Sequence, residues 1–539
     1  MKIRTEDQPY YYLFIFVVGF LIIFSSITQT INIYDEGVGI LGSLEVLDGK
    51  VPYLDFWTIY APAQFYLGAA IFDFLGNNLF IFRLVSILAD FATAFLIFIL
   101  ASRIYGKKNA IIPFMISCLW FAAMPLFGRA ITFGIMSVLI SNLFLFFFFE
   151  KSDKRYLFLA GIMIGIAALF RHEMAGYIYG AEFWAVFFSG MPKKNEQSES
   201  LKFRIIKGFI NGVIFTLGVL FIFAPFAMYF INTMEISILF DNLIKFPLSE
   251  FREFRSLPLP TPLNFFQSKL GIMSRVALLW EGIIFYLPLI SFGLTAYFLY
   301  WRVRKKKLEL NGEIFWKEML LFNIGLNFYN QAMVRSDIEH LIPAFLIFSI
   351  LFISLINIIP YPKIRTILIV VITSFVIMMP FTRKIQQTKN IITGKHIALN
   401  NQKANFTFAE MEFVDNYNQL LSYIISNTSQ NDFFYSGNTR HDKFISNDLM
   451  IYFLTERKIP TKYYELHPGL QTTANIQTEI MNDLINKNVN LLILLNQESI
   501  KEQNKSAISS NVFILDDFIK KNFYVVAQFG DYIVMKKSI

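Results

Sequence analysis

Residues 11–37 read YYLFIFVVGFLIIFSSITQTINIYDEG. The apolar run from Tyr11 to Ile31 is long enough to cross a hydrocarbon core about 30 Å thick, which takes about 20 helical residues. It is too long for a signal-peptide core and has no small-residue cleavage site, so it reads as a membrane helix. Two adjacent acids, Asp35 and Glu36, follow at its mouth. Carboxylates there cost solvation unless something uses or pairs them.

Runs of this kind recur over the first 380 or so positions. The chain has 539 residues, 55% of them hydrophobic and only 16% charged. Mean hydropathy is +0.48. Soluble domains carry about 25% charge, so the class is a polytopic α-helical membrane protein. The net charge of +8 sits in short loops, where it sets orientation rather than binding nucleic acid. Cys118 is the only cysteine, so no disulfide within the chain and no cysteine-based metal site can form.

Basic loops mark the inner side of a membrane. Lys2 and Arg4 place the N-terminus inside. Residues 32–78 then lie outside, with two short interfacial helices near 36–48 and 62–75. The second run, about 79–101, returns to Arg103, Lys107 and Lys108, and the fourth returns to Lys151, Lys154 and Arg155. The span 156–190 holds two helices broken at Arg171-His172-Glu173, then returns to Lys193, Lys194, Lys202, Arg204 and Lys207. The seventh run, about 208–231, exits to an outer loop at 232–279 that is non-helical in part. The eighth returns to Arg302, Arg304, Lys305, Lys306 and Lys307, the ninth exits at Arg335, and the tenth returns to Lys363 and Arg365. The eleventh, about 364–381, exits. Every even crossing ends on basic residues, which predicts about 11 transmembrane helices. The membrane domain is residues 1–381 and the extracytoplasmic tail 382–539.

The tail is polar and cannot span. Val489–Asn496, Phe523–Phe529 and Tyr532–Met535 read as strands, with Phe433–Tyr435 as a further one. Stretches near 409–427, 444–457, 474–487 and 511–521 read as helices. A small α/β domain is expected. Arg440-His441-Asp442 and His467-Pro468-Gly469 read as turns, without the companion residues of a metal site or triad. Asn405, Asn427 and Asn504 begin glycosylation-type tripeptides, a pattern common by chance.

The run from Tyr34 to Arg83 carries Asp35-Glu36, Gly49, Pro52-Tyr53, Asp55, Pro62 and Arg83. This resembles the first outer loop of the GT-C membrane glycosyltransferases, the superfamily of dolichyl-phosphate-mannose protein mannosyltransferases and aminoarabinose transferases, bacterial branch. The resemblance implies an inverting transfer of a hexosyl or pentosyl group from a polyprenyl-phosphate sugar to an envelope glycan, lipid or protein. It places the reaction at the outer face of the inner (plasma) membrane. Asp35 would be the general base, with Glu36 orienting the acceptor or sharing the proton. Tyr53 and Asp55 would support them. The phosphate left behind gains negative charge and needs fixed cations. Arg83 is one candidate. Arg335 and His340, oriented by Asp337, are the others, in a run Arg-Ser-Asp-x-x-His-Leu-x-Pro similar to one in bacterial members. Some relatives use a divalent cation and others do not, so the sequence specifies no cofactor.

Three further features are weighed against bland readings. Gly161-x-x-x-Gly165 permits close helix packing. Arg129 reads as part of an ordinary outer turn. Arg171 and Glu173 are two residues apart and would not pair across a regular helix. Two rival functions remain: a transporter or flippase, disfavoured because no inverted repeat is visible, and an inactive membrane scaffold displaying the tail.

Overall fold

The computed structural model describes residues 9–189, 201–267, 269–305, 312–444, 446–467, 469–497, 502 and 504–538. Lys2, Arg4, Lys193, Lys194, Lys306, Lys307 and Pro468, used above, lie outside the described residues.

Among the described residues, eleven long helices occupy the stretches read as crossings. They are α1 (Pro9–Phe24), α4 (Leu79–Tyr105), α5 (Lys107–Ala123), α6 (Ile131–Lys151), α7 (Arg155–Phe170) and α8 (His172–Ser189), then α9 (Leu201–Thr233), α13 (Ile272–Arg304), α14 (Glu313–Ala332), α15 (Ile338–Ile358) and α16 (Pro362–Ile392). Among the described residues, seven helices are long and apolar enough to cross a membrane by length and composition. The other four, α5, α7, α8 and α14, pack among them. Gly161 and Gly165 lie against Phe215 and Val219 of α9, whose backbone carbonyls come close enough to exclude a side chain.

Two helices outrun the sequence reading. α13 begins at Ile272, so the outer loop is shorter than expected. α16 continues past position 381 to Ile392. Its extension, Thr382 to Ile392, has no Gly or Pro and is rich in Lys and Gln, which favour helix without needing lipid. Lys384 there donates to the Ser25 carbonyl at 2.7 Å, tying the extension to the end of α1.

The segment between α1 and α4 folds into α2 (Asp35–Leu47) and α3 (Ala63–Leu75), close to the two short helices expected. The loop before α13 carries α10 (Ile236–Phe240), α11 (Arg252–Arg255) and α12 (Asn264–Gln267). The tail contains a hairpin, β1 (His396–Ala398) with β2 (Phe408–Glu410), and a four-stranded sheet. That sheet has the order β3 (Tyr435–Asn438), β4 (Leu491–Leu495), β6 (Tyr532–Lys537), β5 (Phe523–Phe529). β3 and β4 are parallel and the other neighbours antiparallel. Helices α17 (Met411–Asn427), α18 (Met450–Thr455), α19 (Ala474–Asn486) and α20 (Ile514–Asn522) complete the α/β unit. β3 starts two residues later than expected, and α18 is much shorter than 444–457.

The tail does not keep its core to itself. Val38, Leu41, Phe56 and Phe65 of the segment between α1 and α4 form one buried cluster with Val414, Leu449, Tyr464 and Leu491 of the tail. Backbone bonds seal the contact: Leu449 N–H to the Ile33 carbonyl at 2.9 Å, and Trp57 N–H to the Lys462 carbonyl at 3.0 Å. Gly37 permits it, because a Cβ there would lie 2.6 Å from the Leu449 Cβ.

The far ends of the helices gather differently. Arg103 and Lys317 meet Glu150, and Tyr105 and Arg302 meet Glu318. These basic ends lie opposite the tail, since α4 starts beside it (Leu79 N–H to Lys403 carbonyl, 3.0 Å) and ends at Tyr105.

Candidate active site

Asp35 and Glu36 open α2, where the unpaired N–H groups and helix dipole favour carboxylates. Asn32 caps the turn by accepting from the Tyr34 and Asp35 N–H groups at 3.1 and 2.9 Å. From this shared start the two acids point apart.

Glu36 is fully buried and forms a fork with Arg83. Nε donates to Oε1 at 2.7 Å and Nη2 to Oε2 at 2.8 Å. Arg83, 1% exposed, also donates to the carbonyls of Ile27, Gln29 and Thr30. A guanidinium has five N–H donors, and these bonds use all of them. Two readings change as a result. Arg83 has no donor left for a phosphate, and Glu36 is closed off from acceptor or proton. The pair instead locks the end of α1 to α2 and α4. The chain reversal after α1 folds over Arg83 and takes it out of reach of a substrate.

Asp35 is about one-third exposed and pairs with Arg129 at 2.7 Å, with a second bond from Asn32 Nδ2 at 3.1 Å. Burial by itself would raise its pKa. The Arg129 guanidinium and the Asn32 amide outweigh that and hold the carboxyl below the usual aspartate value, so it is an anion at neutral pH. Arg129 reaches it because Gly128, at φ +71°, lets the loop before α6 touch α2; a Cβ there would lie 2.9 Å from the Glu36 Cα. Arg129 is therefore no ordinary turn residue. It also pairs with Glu339 in the first turn of α15, linking Asp35 to the hairpin between α14 and α15.

That hairpin holds Arg335, Asp337 and His340. Asp337 caps α15, accepting from the His340 N–H at 3.0 Å and contacting His340 Nδ1 at 2.7 Å and Arg335 Nε at 3.0 Å. Burial works against its charge, but His340 and Arg335 prevail and hold it at a pKa of about 2. Arg335 and His340 line a cavity of about 220 Å³ with Arg171, His172 and Arg252. Tyr60, Tyr177, Glu173, Asn330 and Gln331 also contribute to the polar wall. Arg171 and Glu173 do pair, Nε to Oε1 at 2.6 Å, contrary to the helical-spacing argument. Arg171 sits in the break between α7 and α8 at φ −146°, where that spacing no longer applies.

Tyr53 and Asp55 shape the loop without lining the cavity. Asp55 accepts from the Val51 N–H at 2.7 Å, closing the turn. Tyr53, at φ +71°, donates its hydroxyl to the Tyr60 carbonyl at 2.7 Å, which positions a residue that does line the cavity.

The tail adds groups that the sequence did not flag. Glu465, 1% exposed, leaves Oε1 without a hydrogen-bond partner. Burial, moderated by a Thr58 hydrogen bond and reinforced by the Asp35 charge, raises its pKa to about 8. The Asp35 charge thus favours the protonated form of Glu465. Its only sequence signal was a charged residue inside the apolar stretch 463–466. Arg252 and Arg255, on the short helix α11 before α13, and Glu502 of the tail likewise carried no sequence signal. Among the described residues no three His, Cys, Asp or Glu side chains converge as a metal requires, and Asp35 already has Arg129 as its cation.

The family model described as dolichyl-phosphate-mannose-protein mannosyltransferase matches residues 60–229. No curated protein matches the chain. Among solved structures, the chain is similar to ArnT from Cupriavidus metallidurans bound to undecaprenyl phosphate, at 10% identity and a TM-score of 0.53, covering 98% of each chain. It is also similar to the archaeal oligosaccharyltransferase AglB from Archaeoglobus fulgidus in complex with an inhibitory peptide and a dolichol-phosphate. That likeness has 12% identity and a TM-score of 0.54, and covers 97% of this chain and 74% of the other. The likeness runs through both the helices and the tail. The family match over residues 60–229 and the whole-length likeness show that the chain is a multi-pass membrane protein sharing the fold of these two membrane-embedded structures.

Proposed function

We propose that the chain transfers a hexosyl or pentosyl group, with inversion, from a polyprenyl-phosphate donor to a glycan, lipid or protein at the outer face of the inner (plasma) membrane. One observation carries this reading. Arg129 joins an ionised carboxylate, Asp35, to the hairpin of a cation-rich cavity through Glu339.

Asp35 takes the proton from an acceptor hydroxyl or amine as the acceptor attacks the anomeric carbon. The bond from that carbon to the phosphate oxygen breaks, and the lipid phosphate leaves as an anion. Arg335 and His340 meet its growing charge, with Asp337 orienting both. Arg171 and Arg252 add to the positive field. Glu36 and Arg83 hold α2 in place. The similar structures bound to undecaprenyl phosphate and in complex with a dolichol-phosphate support a lipid-linked donor here.

The orientation follows the basic-loop pattern, with the N-terminus cytoplasmic and the tail extracytoplasmic. A cysteine near Lys305 should resist an impermeant label in intact cells, while one near Asn475 should react. The activity is tested by incubating the purified protein with a panel of polyprenyl-phosphate sugars and measuring lipid-phosphate release. Arg335→Ala should raise donor KM and lower kcat, and Arg335→Lys should restore part of both, since lysine keeps charge but loses the fork. Lipid-phosphate release from no donor, or normal donor kinetics in Arg335→Ala, would defeat the reading.

A further inference from the structure

Arg335 does not stand alone. Arg255, at the end of α11, lies beside it, and Arg335 Nη1 donates to the Arg255 carbonyl at 2.9 Å. Both side chains turn to the same carboxylate, Glu502 of the tail. Arg335 grips it through both terminal nitrogens, Nη1 to Oε2 at 3.0 Å and Nη2 to Oε1 at 2.7 Å. Arg255 Nη1 reaches Oε2 at 3.4 Å, and Asn504 Nδ2 donates to the same oxygen at 2.7 Å. Arg335 and Glu502 are each 13% exposed and Arg255 is 17% exposed. Two guanidinium groups this close repel one another unless an anion sits between them.

A forked arginine presents the same paired donors to a carboxylate and to a phosphate. Arg335 also lines the cavity assigned above to the donor phosphate, next to His340. Glu502, in contrast, comes from the tail, 167 positions downstream. The tail has other holds on this loop: Lys505 pairs with Glu253, Asn504 Nδ2 donates to the Ser256 carbonyl at 3.1 Å, and Arg255 lies over the Phe444 ring at 4.7 Å. Glu502 can thus leave the arginines without undocking the tail.

We propose that Arg255 and Arg335 form a seat for a phosphate group, and that the tail's Glu502 fills that seat as an internal competitor until the phosphate displaces it. The proposal rests on the donor-site reading of Arg335. It makes the tail a determinant of donor affinity: the resting seat is neutralised, and a ligand must bring an anion able to replace a forked carboxylate. A neutral polar lipid would not.

The test measures binding of a polyprenyl phosphate and, separately, of inorganic phosphate to the full-length protein in nanodiscs. Glu502→Ala and Glu502→Gln should each bind the lipid phosphate more tightly, by about tenfold for the alanine variant, which corresponds to one charge-assisted contact no longer competing. A parallel gain for inorganic phosphate identifies a general phosphate seat, and a gain for the lipid alone identifies a seat shaped for the headgroup; either supports the proposal. Unchanged or weaker lipid-phosphate binding in Glu502→Gln, with an unaltered melting temperature, overturns it and leaves Glu502 as a brace for the two arginines. Arg335→Ala separates the two ideas. If that variant binds lipid phosphate normally, the donor-site reading itself fails. If it loses binding while Glu502→Gln gains nothing, only the competitor is lost.

Discussion

Asp35 and Glu36 are neighbours in sequence, start the same helix and each meet an arginine, yet the two pairs differ in kind. Glu36–Arg83 is sealed: no donor on the guanidinium is spare, and neither side chain is more than 1% exposed. Asp35–Arg129 is open, with 30% and 23% of the side chains exposed, and the same arginine reaches on to Glu339. A buried pair with all its bonds made is costly to break but has nothing left to offer a substrate. A partly exposed pair is worth less to the fold and keeps a carboxylate oriented and ionised. The residue pair alone does not separate structure from chemistry; the unfilled bonding capacity around it does.

That contrast can be broken by mutation. Asp35→Asn should lower kcat by about 10²–10⁴-fold, the usual cost of losing a general base, with a melting temperature close to wild type. Near-normal turnover in a donor assay would remove Asp35 from the chemistry and erase the distinction. Arg83→Ala should do the reverse, leaving Glu36 buried and unpaired. The expected loss is about 3–5 kcal/mol of stability, seen as a lower melting temperature and poor recovery from membranes, with activity falling in proportion to folded protein.

A pH profile sharpens the comparison. Asp35 acts as a base only when ionised, and its pKa is lowered in the folded protein. The acid limb of kcat/KM should therefore lie below the ordinary aspartate range, about pH 3.9. In Arg129→Gln the dominant lowering influence is gone while burial remains, so the limb should move to higher pH. An unmoved limb would mean that another group titrates there. The smallest effect is expected at Tyr53→Phe, which removes the bond to the Tyr60 carbonyl. About 0.5–1.5 kcal/mol is at stake, read as a slight loss of thermal stability and a donor KM shifted by only a few-fold.

Much of the architecture was legible. Apolar runs near 20 residues must be buried in lipid or protein, so they mark helices directly, and the break at Arg171-His172-Glu173 fell where α7 gives way to α8. The strands 491–495, 523–529 and 532–537 were legible because β-branched and aromatic runs between turn residues have few alternatives. The end of α16 was not, since hydropathy reports where lipid stops rather than where helix stops.

The site divides along the same line. Sequence by itself determined that this is a polytopic helical protein with an α/β tail, and that acids and arginines cluster at one set of loop positions. It singled out Asp35 and the Arg335–His340 hairpin because charge beside membrane helices is expensive and therefore conspicuous. Only the tertiary structure decided that Arg83 is spent on Glu36, that Arg129 serves Asp35, and that Arg255, Glu465 and Glu502 belong to the same region. The reason is physical. Burial cost is a property of a residue and its neighbours in the chain, whereas the partner that offsets it arrives from anywhere, here from 47 positions away for Arg83 and 167 for Arg335.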